Sequence, residues 1–235
     1  MSVCVGVEWI NTFHSDACNQ NNLDYRDDHA EGFYNHMHSH GHLKIFDWGN
    51  DNAWETDIRH PDFGGDSLHW SDNVDFYYFA DHGGNWSNIY RIAFAVAHTH
   101  CLGSGNTWRL GIRMMKWCVF DCCDLVLNTD AGHIWAVWHG PMQGLHQVFG
   151  FIGLGHDSWW NAGLGSDFGD DAGGGSRLSN AWLDRAYSWW LDDNPIAISA
   201  GATQSEAINR REWETIGWFG IGVSHTNWLA WKYRT

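Results

Sequence analysis

The stretch Val74-Asp75-Phe76-Tyr77-Tyr78-Phe79-Ala80, closed by Asp81-His82-Gly83-Gly84, decides the fold class. It is nearly continuous apolar and rich in β-formers. A strand covered on both faces reads this way, and such strands belong to parallel sheets packed between other layers. Working outward, Val3–Ile10 and Leu43–Trp48 read as strands before it. Met114–Cys122, Val148–Gly153 and Ile196–Ala200 read as strands after it, and Ile216–Ser224 as a candidate last one. Helical spacing separates them. Asp24–Met37 carries Phe33 and Met37 at i, i+4, and Trp135–Gln143 reads as a short helix. Leu178–Leu191 places Leu178, Trp182, Ala186 and Trp189 at helical spacing, with Ser176 or Ser179 as its cap. Residues 50–72 and Gly163–Gly175 read as irregular loops, and residues 85–110 leave helix and strand open. The alternation predicts one α/β domain over residues 1–235. Its architecture would be a three-layer α/β/α sandwich on a mostly parallel sheet of about six strands.

Composition narrows the function. With 44% hydrophobic residues and 18 Trp, the chain carries too much apolar surface to be disordered. No apolar run is long enough to span a bilayer, so no membrane partner is expected. The net charge of -15 repels phosphate backbones, which argues against nucleic acid, and draws basic peptides. The opening Met1-Ser2-Val3-Cys4-Val5 shows no export pattern. A cytoplasmic location follows as the expectation, and with it six reduced thiols, at Cys4, Cys18, Cys101, Cys118, Cys122 and Cys123. No CxxC pair supports a structural zinc site, and no cofactor is expected.

Reactive groups of open α/β sheets gather at the carboxyl ends of the strands. Here one strong strand ends in Asp81-His82-Gly83-Gly84 and the next in Asp121-Cys122-Cys123-Asp124. An imidazole beside a thiol makes a nucleophile and its proton carrier. Glycines after the His let the backbone approach a substrate, and a free N–H there can stabilise an oxyanion.

These two segments resemble the caspase-like cysteine peptidases. "YYFADHGG" is similar to the metacaspase His-Gly-Gly segment and "CVFDCC" to the metacaspase Asp-Cys-Cys segment. The order His before Cys matches, and the spacing of roughly 40 residues is comparable with the roughly 50 of caspases. The resemblance covers residues 70–155 best. It departs after Cys123, where Asp124-Leu125 replaces the His-Ser-Gly of metacaspases and the Arg-Gly of caspases. Gly144–Phe151 is similar instead to a group of uncharacterised bacterial proteins related to this fold.

The resemblance implies a cysteine peptidase, or a related peptide ligase or cyclase, acting on a peptide or protein substrate. Cys123 would be the nucleophile, with Cys122 as the alternative, and His82 the proton carrier. The Gly83 N–H would serve the oxyanion, and Gly84 and Asp121 would contact substrate. Alternation puts Cys123 and Asp121 on one face and Cys122 with Phe120 on the other. In the resembling families the residue two before the Cys lines the specificity pocket, so Asp121 implies cleavage after Arg or Lys. The competing role for a strand-end Asp is to bond nearby backbone.

A second class keeps the fold without catalysis, as a partner-binding or metal-binding protein. Its basis is the segment His36-Met37-His38-Ser39-His40-Gly41-His42, read as a solvated loop or, on a strand, as a metal site. Asp167, Asp170 and Asp171 lack the spacing of a calcium loop. The pairs Trp159-Trp160 and Trp189-Trp190 suggest sugar stacking, with one member of each pair expected in the core.

Overall fold

A computed structural model describes residues 2–14, 18–217 and 225–235. Among these, the chain runs β1 (Cys4–Trp9), α1 (Arg26–Ser39), β2 (Leu43–Gly49), β3 (Phe76–Ala80), β4 (Gly83–Trp86), β5 (Ile89–Ala93) and β6 (Leu102–Ser104). It continues through β7 (Trp117–Asp121), α2 (Ala131–Trp138), β8 (Gln147–Phe151), α3 (Leu164–Gly173), α4 (Leu178–Ala186), β9 (Pro195–Gly201), α5 (Gln204–Trp213) and β10 (Trp228–Tyr233). The main sheet has the order β10-β9-β8-β7-β3-β1-β2. Strands β2, β1, β3, β7 and β8 are parallel, and β9 runs against both β8 and β10.

The aromatic run that decided the fold class supplies both faces of the sheet. Phe76 and Tyr78 point to one side, where Phe33 of α1, Phe168 of α3 and Trp182 of α4 cover them. Tyr77 and Phe79 point to the other, into a cluster with Tyr90, Trp108, Phe120 and Trp138. Each fully buried aromatic contributes roughly 1.5–3 kcal/mol of transfer free energy, so both clusters weigh heavily in stability. The second face is covered by α2, by the antiparallel sheet β4-β5-β6 and by short 3-10 turns between residues 50 and 73.

Several expectations change. The sheet has seven strands rather than six. The last, β10, is a half-exposed edge strand without a strong apolar pattern. Of the expected strand Ile216–Ser224, residues 218–224 lie outside the described residues, and Ile216 and Gly217 form a turn. Gly163–Gly175 is not a loop, because α3 occupies it. Its glycines are a packing device: a Cβ on Gly165 would collide with the His29 carbonyl, and one on Gly169 would lie 2.8 Å from that of Phe33. Helix α2 starts earlier than expected because the Asp130 carboxylate caps it, accepting from the N–H groups of Gly132 and His133. Helix α4 stops at Ala186, so Trp189 and Trp190 lie beyond it. Residues 83–93 form a hairpin whose turn residues, Ser87 and Asn88, are both left-handed.

The thiols are not all reduced, since Cys18 and Cys101 form a disulfide. Disulfides persist in oxidising surroundings, so the thiol argument for a reducing cytoplasm falls. No helix among the described residues is long and apolar enough to cross a membrane.

The His-rich segment is neither a solvated loop nor a strand. His36 and His38 belong to the last turn of α1, His40 bonds Asp170 at 2.9 Å, and buried His42 accepts from the Val3 N–H. His36 and His40 thus share the Asp170 carboxylate, while His38 bonds the His42 carbonyl at 3.0 Å and His42 turns to Val3. Among the described residues no group of three His, Cys, Asp or Glu suits a metal.

Candidate active site

The register of the parallel sheet pairs Ala80 of β3 with Asp121 of β7, which brings the two reactive strand ends side by side. The Asp81 N–H donates to the Asp121 carbonyl at 3.2 Å and locks that register past the strands. Beyond it the Gly83 backbone lies against the cysteines. A Cβ on Gly83 would stand 2.6 Å from the Cys123 carbonyl oxygen and 2.7 Å from both the Cys122 Cβ and the Tyr90 hydroxyl. Only glycine fits such an approach.

The Gly83 N–H is also off the hydrogen-bond ladder. The Ala93 N–H donates to the His82 carbonyl at 3.1 Å, which makes 82 and 93 a hydrogen-bonded pair. Alternation in an antiparallel ladder then makes the next pair, Gly83 with Ile92, the non-bonded kind. Gly84 has open space where a side chain would stand. With His82, Gly83, Gln20, Trp86 and Arg91 it lines a cleft of about 210 Å³. Arg91 makes no ion pair and is the one cation lining this cleft among the described residues.

His82 is half-buried, with its ring 5.4 Å from that of Phe13. Its Nε2 lies 2.8 Å from the Asn21 carbonyl oxygen. A carbonyl only accepts, so Nε2 carries the proton and Nδ1 is the basic nitrogen of the neutral ring. Asn21 sits in the loop between β1 and α1, the loop that the disulfide ties to the segment between β5 and β6. Leu102, which follows Cys101, lines the same cleft.

Cys122 and Cys123 have opposite surroundings. Cys122 is fully buried, its Sγ 3.8 Å from the Phe79 carbonyl oxygen, and burial pushes its thiol well above the usual range. Cys123 is half-buried at the point where Asp124, in the left-handed region at φ 55°, turns the chain away. The Cys123 Sγ accepts from the Gly155 N–H at 3.5 Å and lies 3.6 Å from the Gly155 carbonyl oxygen. Burial raises this thiol too, and the Gly155 N–H and the Arg26 charge only partly offset it. The resting group is therefore a thiol that needs a base. Among the described residues no direct hydrogen bond joins Cys123 to His82, and the cleft lining includes His82 but not Cys123.

Asp121 does not line a substrate pocket. It is 1% exposed, and its oxygens are taken by Arg26 Nη1 at 2.7 Å, His29 Nδ1 at 2.6 Å and the Tyr78 hydroxyl at 2.9 Å. Burial pushes its carboxyl up, but Arg26 and then His29 outweigh it and hold it at about 2. An internal guanidinium occupies the place expected for a substrate's, so cleavage after Arg or Lys loses its basis. Arg26 also donates to the Gly155 carbonyl at 3.1 Å, linking this ion pair to the loop that holds Cys123.

That loop carries a further feature. His156 bonds Asp193 at 2.7 Å and ties it to the loop after α4. Trp160 and Trp190 then line, with Ser188 and Leu191, a pocket of about 630 Å³. Trp159 and Trp189 stack on them, with ring centroids 3.7 and 3.9 Å apart in the two pairs. All four indoles are exposed, Trp190 by 78%, so neither pair sends a member into the core.

Asn21, Arg26 and Gly155 carried no sequence signal. Two act through backbone carbonyls, and the third lies far in sequence from the acid it pairs. The search of curated proteins gives no match. The model of the family described as a domain of unknown function, DUF6345, matches residues 7–220, and the chain belongs to that family.

Proposed function

We propose that this chain is a caspase-like cysteine peptidase, or a related peptide ligase or cyclase, working through Cys123 and His82. The fold is read accordingly as a caspase-like three-layer sandwich. The observation that carries the reading is the Ala80–Asp121 register, which sets His82-Gly83 against the Cys122-Cys123 backbone. In this reading His82 Nδ1 takes the Cys123 proton as Sγ attacks the substrate carbonyl carbon. The Gly83 N–H, off its ladder, donates to the oxyanion. His82 returns the proton to the leaving amine, and the thioester passes to water or to a second amine. The Asn21 carbonyl stabilises the imidazolium form between the two transfers.

Substrate preference follows from the clefts rather than from Asp121. Arg91 beside His82 and Gly84 favours an acidic group in that cleft. The Trp160–Trp190 pocket, on the loop that holds Cys123, suits a large apolar side chain.

A peptide library assayed with the wild type, Cys123→Ala, Cys122→Ala and His82→Ala proteins tests the reading. Turnover is expected to vanish in Cys123→Ala and His82→Ala and to persist in Cys122→Ala and the wild type. Turnover that survives Cys123→Ala overturns the proposal. So does the lack of any turnover or covalent capture by peptidyl electrophiles, which would leave a binding protein.

A further inference from the structure

The segment after β2 encloses a further pocket, whose lining includes no cysteine. Its walls are indoles. The rings of Trp48 and Trp70 meet at 81° with centroids 5.7 Å apart, and Trp54 is braced by His98, stacked on it at 4.2 Å. With Asn52 and Asp57 they line a volume of about 230 Å³, sufficient for a small charged headgroup. Asp57 is 3% exposed and accepts from the Trp54 N–H at 3.1 Å. Behind it stands Glu8, the register partner of Trp48 in the β1–β2 pair, so the two side chains share a sheet face. Glu8 is fully buried beside the Tyr77 hydroxyl, and among the described residues neither of its carboxylate oxygens meets a cation.

We propose that this pocket binds a hydrogen-bonding organic cation, a guanidinium or primary ammonium group, against the indoles of Trp48, Trp54 and Trp70 with Asp57 and Glu8 as counter-charges. The aromatic faces attract a cation and resist a carboxylate. Buried acids without a partner stay neutral or wait for a positive charge. The groups around Asp57 add no such charge: Glu55 and Asp66 are acids, and Arg59 is engaged with Glu55 at 3.2 Å. Burial, with Asp66 and Glu55, raises Asp57 to about 7, and burial with the Asp57 charge raises Glu8 well above the carboxylate range. Planar acceptors favour a donor cation over a quaternary one, because the oxygens need N–H groups. The net charge of -15 draws such a ligand from a distance.

Titration calorimetry on the full chain tests this, with n-butylguanidinium and its neutral isostere n-butylurea as probes. The guanidinium is expected to bind saturably at one site, at least tenfold more tightly than the urea. Asp57→Asn and Glu8→Gln are each expected to weaken it at least tenfold, with melting temperatures no lower than that of the wild type. The comparison of the two probes on the wild type holds even if a variant fails to fold. A blocked arginine peptide separates the sources. Binding of the peptide as tight as that of the free cation assigns a protein side chain, and its exclusion assigns a small molecule. Absence of saturable guanidinium binding at millimolar concentration, equal affinity for the urea, or unchanged affinity in folded variants overturns the proposal.

Discussion

Two residues at the carboxyl end of β7, Asp121 and Cys123, differ in what they leave available. On the α1 side, Asp121 is enclosed by Arg26, His29 and Tyr78, with its oxygens occupied. One residue beyond Cys122, Cys123 is half-buried, its sulfur bonds the Gly155 backbone, and it neighbours a glycine N–H that the ladder does not use. The first arrangement holds loops to the sheet. The second leaves groups unengaged where a substrate can reach them. Conserving one side should therefore matter to folding and the other to reaction, and substitutions can be ordered along that difference.

The largest expected effect is on the closed side. Arg26→Ala strands a buried carboxylate, and loss of one member of a buried pair costs about 3–5 kcal/mol. Cys123→Ala, at a partly exposed thiol, should change stability by less than about 1 kcal/mol. Urea unfolding of both proteins measures the contrast, and equal losses would erase it.

Removing the disulfide comes next. Cys18→Ser with Cys101→Ser reopens a loop spanning 83 positions. Loss of a disulfide typically lowers stability by about 2–4 kcal/mol. It also frees the loop that carries Asn21. A fall in His82-dependent turnover larger than the fall in folded fraction would show that the bridge positions the imidazole.

Acid should reveal the Asp121 cluster at a smaller scale. Its folded-state carboxyl lies at about 2, below the usual 3.8. A depressed pKa gives stability that is present above the unfolded value and lost as pH falls through the folded one. About 2 kcal/mol should therefore disappear between pH of about 4 and about 2. The corresponding part of the slope should be missing in Asp121→Asn, as followed by thermal melts.

The smallest effect concerns Arg91, which makes no ion pair among the described residues. Arg91→Gln should leave stability within about 0.5 kcal/mol and lower turnover of acidic peptides relative to neutral ones several-fold. An unchanged preference would remove Arg91 from substrate selection.

The sequence made the sheet legible because its central strands are nearly pure apolar runs, and periodicity reports burial directly. β3 and β7 fall within the runs Val74–Ala80 and Met114–Cys122 that announce them, and β8 overlaps Val148–Gly153, starting one residue earlier and ending two sooner. Helix α3 was hidden because Gly165 and Gly169, poor helix formers, are there for close contact with α1. The strand-end motifs identified the candidate site, and alternation separated Cys123 from Cys122. Alternation could not show that Asp121 is already paired, since Arg26 lies in a distant part of the chain. Nor could it find Asn21 or Gly155, whose contributions are backbone groups, a carbonyl from the first and an N–H and a carbonyl from the second.

The most direct measurement is the rate of alkylation of each thiol by iodoacetamide, followed by peptide mass spectrometry, in the wild type and in His82→Ala. Cys123 is expected to react fastest among Cys4, Cys118, Cys122 and Cys123, the four free thiols. Its rate should fall at least tenfold without the imidazole, while Cys118 and Cys122 stay protected until unfolding. Similar rates for Cys4 and Cys123, or a Cys123 rate indifferent to His82, would contradict a Cys123–His82 active site.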